Sequence, residues 1–205
     1  VHGIVESPTK QDIFLAYKDA YLNIPDGVPL VWYSKIKGSK QIERCFGPEV
    51  MESFFDKTKS ENLKHFFYGS TNEVLEKLDQ NFSKKYNANI VGTLSPPFRK
   101  LEKSELKKII GIINSYNPDI IWVGLGCPKQ EIFMYQNYLD LNAKLMIGVG
   151  AAFDYHSDSI NYAPKIIQNL GFEWLYRLIQ EPRRLFWRYF KIIPSFFYLI
   201  IKEII

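Results

Sequence analysis

The sequence predicts an α/β fold, with a Rossmann-like parallel sheet that carries helices on both faces and a helical appendage at its C-terminal end. Two observations predict the sheet: between residues 64 and 149 the hydrophobic period changes repeatedly between two and 3.6, and helical stretches separate the short apolar runs. The loss of any strand pattern after Gly171 predicts the appendage. We therefore expect a core over residues 1–170 and a helical appendage over residues 171–205.

Composition limits the classes of protein to consider. With 46% hydrophobic and 23% charged residues, the 205-residue chain can bury one substantial core. Its 26 basic and 22 acidic residues leave a net charge of +4, too mild to indicate a nucleic-acid partner. Because no apolar run reaches about 18 residues and no secretory signal opens the chain, we expect a protein that is soluble or peripheral to a membrane. The two separate cysteines, Cys45 and Cys127, fit a reducing cytoplasm.

Cysteine and histidine positions predict no metal centre. Cys45 and Cys127 lie far apart and outside any CxxC pair, which indicates neither a zinc site nor a disulfide framework. His2, His65 and His156 lack the spacing of metal ligands. We therefore expect neither a metal nor another cofactor.

The chain before Lys64 reads as helices joined by turns. The pattern predicts a helix over 11–20, a turn at 25–27, a helix through 30–32, a basic turn near 37–38 and a helix after 47–48.

The core elements then alternate between strand and helix. Strands are predicted over 65–68, 89–92, 119–123 and 144–149, and helices over 72–85, 101–116 and 130–139. Parallel neighbouring strands need a crossover connection, and each intervening helix supplies one. The order β-α-β-α-β-α-β therefore predicts a parallel sheet.

Sheets of this kind bind ligands beyond the carboxyl ends of their strands. Four loops follow the predicted strands there, at residues 69–70, 95–97, 124–126 and 150–152. We therefore predict a ligand site at this edge, lined by Gly69, Gly124, Gly126 and Gly150.

The run from Gly124 to Glu131 follows a strand and opens a helix. Glycines there let backbone amides approach a phosphate, and the helix N-terminus favours an anion. Lys129 and Gln130 would add a cation and an amide to the same edge. The plain alternative is a tight strand-to-helix turn with Pro128 at the first helical position.

Two further acidic residues have functional and structural interpretations. Asp26 lies between Pro25 and Gly27 in a rigid turn, where it acts either as a general base or as a turn aspartate that bonds its own backbone. Asp154 follows the last strand and is either a helix cap, a ribose contact or an acceptor contact.

Arg44 and the C-terminal arginines are the candidate cations for binding a diphosphate or an anionic membrane. Arg44 forms either a surface salt bridge or charge-assisted bonds to a diphosphate. The appendage interleaves basic residues with aromatics and ends in an apolar run, which is typical of an interfacial segment on an anionic membrane; the alternative is a helix packed on the core with its arginines in solvent. Its arginines are Arg177, Arg183, Arg184 and Arg188.

Five motifs in order carry a family resemblance over nearly the whole chain. They are residues 25–32, Glu43-Arg44 followed by Gly47-Pro48, residues 124–131, residues 148–154, and the run from 173–177 to 181–184. Together they closely resemble the WecG/TagA/CpsF family, glycosyltransferase family 26. That family includes N-acetylmannosaminyltransferases of teichoic-acid and common-antigen synthesis, and relatives that build capsules and exopolysaccharides.

The resemblance implies a metal-independent, inverting enzyme with a UDP-sugar donor and a polyprenyl-diphosphate-linked acceptor. It implies that Asp26 is the base and that Arg44 and Gln130 line the donor and acceptor site. It also implies that the C-terminal arginines complete the site and dock on the inner face of the cytoplasmic membrane. The absence of a DxD motif, which many metal-dependent transferases use, agrees with this expectation.

Two alternatives stay open on sequence alone, as does the choice between monomer and homo-oligomer. The Gly124-Leu125-Gly126 loop suggests an NAD-dependent oxidoreductase, although a third glycine and the acidic residue of that fingerprint are lacking. The basic aromatic tail suggests a non-catalytic membrane adaptor.

Because family members usually carry a Thr/Asn-containing strand before the position of Val1, we also expect residues to precede it.

Overall fold

A computed structural model describes residues 1–204, and within it the chain forms two compact units. The first, here called the split unit, joins Val1–Phe46 to the chain from Ile160 onward. The second, the sheet unit, comprises Gly47–Ser159. The boundary predicted at residue 170 divides the chain differently and stays a prediction.

The split unit begins with three helices, α1 (His2–Glu6), α2 (Gln11–Asp19) and α3 (Val28–Ile36). The predicted turn before α3 is present, with Gly27 as the N-cap residue. Pro29 lies in the first turn of α3, where its missing N–H leaves no helical bond unmade.

The sheet unit contains all four strands of the described chain. Its elements are α4 (Gly47–Thr58), β1 (Lys64–Gly69), α5 (Asn72–Tyr86), β2 (Asn89–Leu94), α6 (Lys103–Ser115), β3 (Ile120–Gly124), α7 (Lys129–Asn137), β4 (Leu145–Gly148) and α8 (Ala152–His156). The strands are parallel throughout and lie in the order β2-β1-β3-β4. The predicted alternation and the parallel sheet are confirmed.

Helices cover both faces of this sheet because successive strand side chains point to opposite sides. On one face Phe67 and Trp122 pack with apolar side chains of α4, α5 and α8. On the other face Phe66 and Ile121 pack with side chains of α6 and α7. The central strands β1 and β3 are consequently buried on both sides.

Local signals fix the helix ends in the sheet unit. The Thr71 hydroxyl accepts a hydrogen bond from the Val74 amide at 3.3 Å and caps α5. At the other end of α5, Asn87 adopts the left-handed conformation that commonly ends a helix. Glu102 and Glu105 form a reciprocal capping box at the start of α6.

The C-terminal part of the split unit is helical, as predicted, with α9 (Lys165–Asn169), α10 (Glu173–Gln180) and α11 (Pro182–Ile204). The stripe of α11 formed by Leu185, Ile192 and Phe196 is buried. Within residues 1–204, no helix combines the length and the apolar character needed to cross a membrane.

His65 is a buried polar residue of strand β1, and only 3% of its surface is exposed. The Trp122 indole Nε1–H donates to His65 Nδ1 at 3.2 Å, so this nitrogen is the acceptor of a neutral ring. Burial, opposed by the charge of Asp119, lowers the pKa of His65 from 6.5 to about 4.

We predict that acid destabilises the protein partly through His65. Between pH 6.5 and about 4 the unfolded chain protonates this ring and the folded chain does not. The free energy of unfolding therefore decreases as the pH is lowered through this range. The loss over that window is roughly 3 kcal/mol. Urea denaturation at stepped pH should show a shallower loss for His65→Gln, and parallel curves for both proteins would contradict the assignment.

Candidate functional site

The carboxyl edge of the sheet contains a point where the chain reverses its direction of winding. From β1 the chain passes to β2 on one side, and β3 then pairs with β1 on the other side. Loops that leave neighbouring strands toward opposite sides open a crevice between them, and open α/β sheets bind ligands there. Gly69 and Gly124 are paired neighbours at this reversal.

The backbones of these two glycines lie in direct contact. A Cβ on Gly69 would be 2.5 Å from the carbonyl group of Gly124, and a Cβ on Gly124 would overlap the Phe153 ring. The Ser70 amide donates to the Gly124 carbonyl at 3.2 Å. The Ser95 hydroxyl donates to the Ser70 carbonyl at 2.6 Å. The edge is therefore built largely from main-chain groups held at close range.

Gly126 faces open space at the same edge. Its φ is +75°, and a Cβ there would meet no atom within 4 Å. Its carbonyl accepts a hydrogen bond from the backbone N–H of Gln130 at 3.1 Å, and this bond starts α7 immediately after the loop. The helix begins at Lys129, and Pro128 is its N-cap residue, not the first helical residue of the plain alternative. The loop thus offers a helix N-terminus beside unoccupied space.

The other predicted residues of this edge differ in exposure. Lys129 is exposed, whereas Gln130 is buried with 7% of its surface accessible. Gly150, with φ of +53°, follows β4 and lies against the Gln130 amide. Asp154 lies inside the first turn of α8, and Ala151 is the N-cap residue, so the helix-cap interpretation of Asp154 is wrong.

A second group of predicted residues lies in the split unit around Arg44. The Arg44 Nε–H donates to the Asp26 carbonyl at 2.8 Å, and one terminal nitrogen lies 3.7 Å from the Asp26 carboxylate. The same nitrogen lies 2.5 Å from the Glu173 carboxylate, and the guanidinium stacks over Phe46 at 4.3 Å. The Cys45 amide donates to the Pro25 carbonyl at 2.9 Å. The turn is therefore fixed from both Arg44 and Cys45.

Burial in this group is uneven. The Asp26 side chain is 67% exposed, whereas those of Arg44 and Glu173 are 22% and 13% exposed. Arg44 therefore forms a partly buried ion pair with Glu173, which solvent screens less than an exposed pair. Asp26 presents its carboxylate to solvent while Arg44 holds its backbone.

Two of the four appendage arginines converge on one carboxylate. Arg177 lies 3.0 Å and Arg184 lies 2.6 Å from the same oxygen of Glu181. Arg183 and Arg188 are exposed on α11. The structure therefore brings Arg177 and Arg184 together between α10 and α11 and leaves Arg183 and Arg188 at the surface.

Sequence reasoning missed Glu131 and Glu173. Glu131 accepts a hydrogen bond from the Gln130 side-chain amide at 3.1 Å. Burial raises the pKa of its carboxyl above the usual range. Its position beside Gln130 in the glycine-loop motif was the available signal. No local pattern announces the pairing of Glu173 with Arg44, since 129 positions separate them.

We predict that alanine at Gly69 destabilises the protein more than alanine at Gly126. Both substitutions incur about 1–2 kcal/mol for a left-handed backbone. Only Gly69→Ala adds a clash with fixed backbone, worth about 1–3 kcal/mol more. Gly111→Ala in α6, where a Cβ meets open space, is the control and should stabilise by roughly 0.5–1 kcal/mol. Equal urea midpoints for the Gly69 and Gly126 variants would contradict the packing described.

The chain was compared with models of known protein families. The family model described as Glycosyl transferase WecG/TagA/CpsF family matches residues 1–205, the whole chain. The resemblance predicted from the five sequence motifs is confirmed.

Proposed function

We propose that the chain moves a hexose from a UDP-sugar to a polyprenyl-diphosphate-linked sugar. The chain belongs to the WecG/TagA/CpsF family of glycosyltransferases, and the proposal starts from that membership. The hexose is of the N-acetylmannosamine, uronic acid or glucose type, and the product serves cell-surface polysaccharide or teichoic-acid synthesis. The observation that carries the proposal is the main-chain edge of the sheet unit, where Gly69 and Gly124 touch and Gly126 faces open space.

The donor nucleotide binds at this edge in the proposal. Backbone amides of the glycine loop and the N-terminus of α7 favour the diphosphate, because amide groups and the dipole at a helix N-terminus both attract an anion. Lys129, exposed in the first turn of α7, adds a mobile cation. Asp154 contacts the ribose or the acceptor.

Asp26 is the base of the proposed reaction. Its exposed carboxylate accepts the proton of the acceptor hydroxyl while that oxygen forms a bond to the anomeric carbon. The bond from the anomeric carbon to the UDP oxygen breaks, the electron pair leaves with UDP, and the configuration inverts. Arg44 orients the turn that carries Asp26, and arginines stabilise the leaving diphosphate in place of a metal.

The exposed face of α11 supports a peripheral membrane location. Large apolar side chains recur at three- and four-residue intervals along it, each between 49% and 73% exposed; they are Phe186, Trp187, Phe190, Phe197, Tyr198 and Ile201. A neighbouring strip carries the exposed cations Arg184, Arg188, Lys191 and Lys202. An aromatic face bordered by cations fits an anionic membrane surface. In the proposal, Arg177 and Arg183 help to bind the diphosphate of the acceptor.

We predict that UDP raises the melting temperature of the protein whether or not EDTA is present, whereas NAD(H) does not. A ligand that binds only the folded state stabilises it by mass action. A shift that NAD(H) alone produces would favour the oxidoreductase instead, and a UDP shift that EDTA abolishes would contradict metal independence.

We predict that Asp26→Asn lowers the transfer rate by about 10²–10⁴-fold and keeps the melting shift that UDP causes. The base is removed, but the nucleotide site in the sheet unit is unchanged. Asp56→Asn, which alters an equally exposed aspartate of α4, is the matched control and should transfer normally. Full activity of Asp26→Asn would contradict the base assignment.

We predict that the double substitution Trp187→Ser and Phe190→Ser weakens sedimentation with anionic vesicles about tenfold or more. Two large exposed aromatic surfaces no longer enter the membrane interface. Leu139→Ser, which alters an 82% exposed side chain outside α11, should leave sedimentation unchanged. Equal sedimentation of the double variant and the unsubstituted protein would contradict docking through α11.

A further inference from the structure

The Gln130 side chain occupies a space that two glycines leave at the end of β4. Its Nε2 lies 3.0 Å from the position that a Cβ would take on Gly148, and its Oε1 lies 3.6 Å from the corresponding position on Gly150. With 7% of its surface exposed, Gln130 is held against the backbone of the carboxyl edge. The amide is therefore fixed in place by packing.

Glu131 determines which way this amide points. The Gln130 Nε2–H donates to Glu131 Oε1 at 3.1 Å, so the nitrogen is turned toward the carboxyl group. A carboxyl oxygen that accepts from the amide nitrogen favours this orientation of the amide over the reverse one. The carbonyl oxygen of Gln130 is consequently turned away from Glu131.

That oxygen is buried without a hydrogen-bond partner among the residues that the structure describes. A buried acceptor that lacks a donor is costly, and most buried polar groups in folded proteins are satisfied. The oxygen lies beside Gly150, at the carboxyl edge of the sheet, and in the first turn of α7. A ligand bound at this edge is a natural source of the missing donor.

We propose that Glu131 is a positioning residue which turns the Gln130 carbonyl toward the site, where it accepts a hydrogen bond from an O–H or N–H group of the nucleotide-sugar. The inference rests on the proposed function and adds to it the atom that reads the donor. Two parts of such a ligand carry this chemistry. One is the nucleoside, through its ribose hydroxyls or the imide N–H of uracil, and the other is the transferred sugar.

The test is a double-mutant cycle on binding, measured by calorimetry with UDP and with UDP-N-acetylmannosamine. The variants are Glu131→Gln, Gln130→Ala and the double substitution. A glutamine at 131 both donates and accepts, so it no longer fixes the Gln130 amide and can pair with its oxygen directly. We expect roughly tenfold weaker binding for Glu131→Gln when Gln130 is present, and no further loss when residue 130 is alanine.

The two probes identify the part of the ligand involved. Weaker binding of UDP itself assigns the hydrogen bond to the nucleoside, whereas weaker binding of the UDP-sugar alone assigns it to the sugar. Glu49→Gln, the same change in the exposed first turn of α4, is the matched control and should bind both probes normally.

The melting temperature of Glu131→Gln is the control that shows whether the variant folds. Because the pKa of Glu131 is raised in the folded state, ionisation costs the unsubstituted protein stability as the pH rises above about 4.5. A neutral glutamine avoids this cost, so Glu131→Gln should melt at least as high as the unsubstituted protein at pH 8.

Two results would overturn the inference while the proposed function stands. One is an equal loss from Glu131→Gln in both backgrounds at residue 130, which means that Glu131 acts independently of Gln130; the other is no loss at all. If the unsubstituted protein binds neither probe, the proposed function fails and this inference fails with it.

Discussion

The close approach of β1 and β3 at their carboxyl ends is the constraint on which the sheet unit depends. The two strands are the central pair, they are buried on both faces, and they finish on glycines whose backbones touch. Any side chain at Gly69 would separate the strands where the winding reverses. The contact that completes the sheet thus lies at the edge of the proposed donor site, so the stability of the sheet and the shape of that proposed site depend on the same two residues.

Arg44 has a comparable role within the split unit, although by charge instead of packing. It holds the backbone of the Asp26 turn and at the same time meets the Glu173 carboxylate at the start of α10. The proposed base is mostly exposed and needs such support, because an unrestrained side chain loses the orientation on which proton transfer depends. The guanidinium thus links the N-terminal turn to the C-terminal helices that follow it in the same unit.

Much of this arrangement was predictable from hydrophobic period. The strands and the long helices were found within a few residues, because each extends over enough residues for its period to show. The helices α1, α8 and α9 have five residues each and are too short for that signal, which therefore could not exclude the cap among the three interpretations of Asp154. The pairing of Arg44 with Glu173 depends on tertiary packing, and the burial of Gln130 depends on two glycines in another element. Neither leaves a trace in local sequence.

The split unit is assembled from both ends of the described chain, and this has a consequence for synthesis on the ribosome. The helices of residues 1–46 emerge first, but the helices that share their unit emerge only after the entire sheet unit has been made. The sheet unit is continuous in sequence, so it can fold without waiting for the rest. Its folding shortens the free chain that separates the two halves and lowers the entropic cost of bringing them together. We therefore expect the parallel sheet to form before the Asp26 turn acquires its final support.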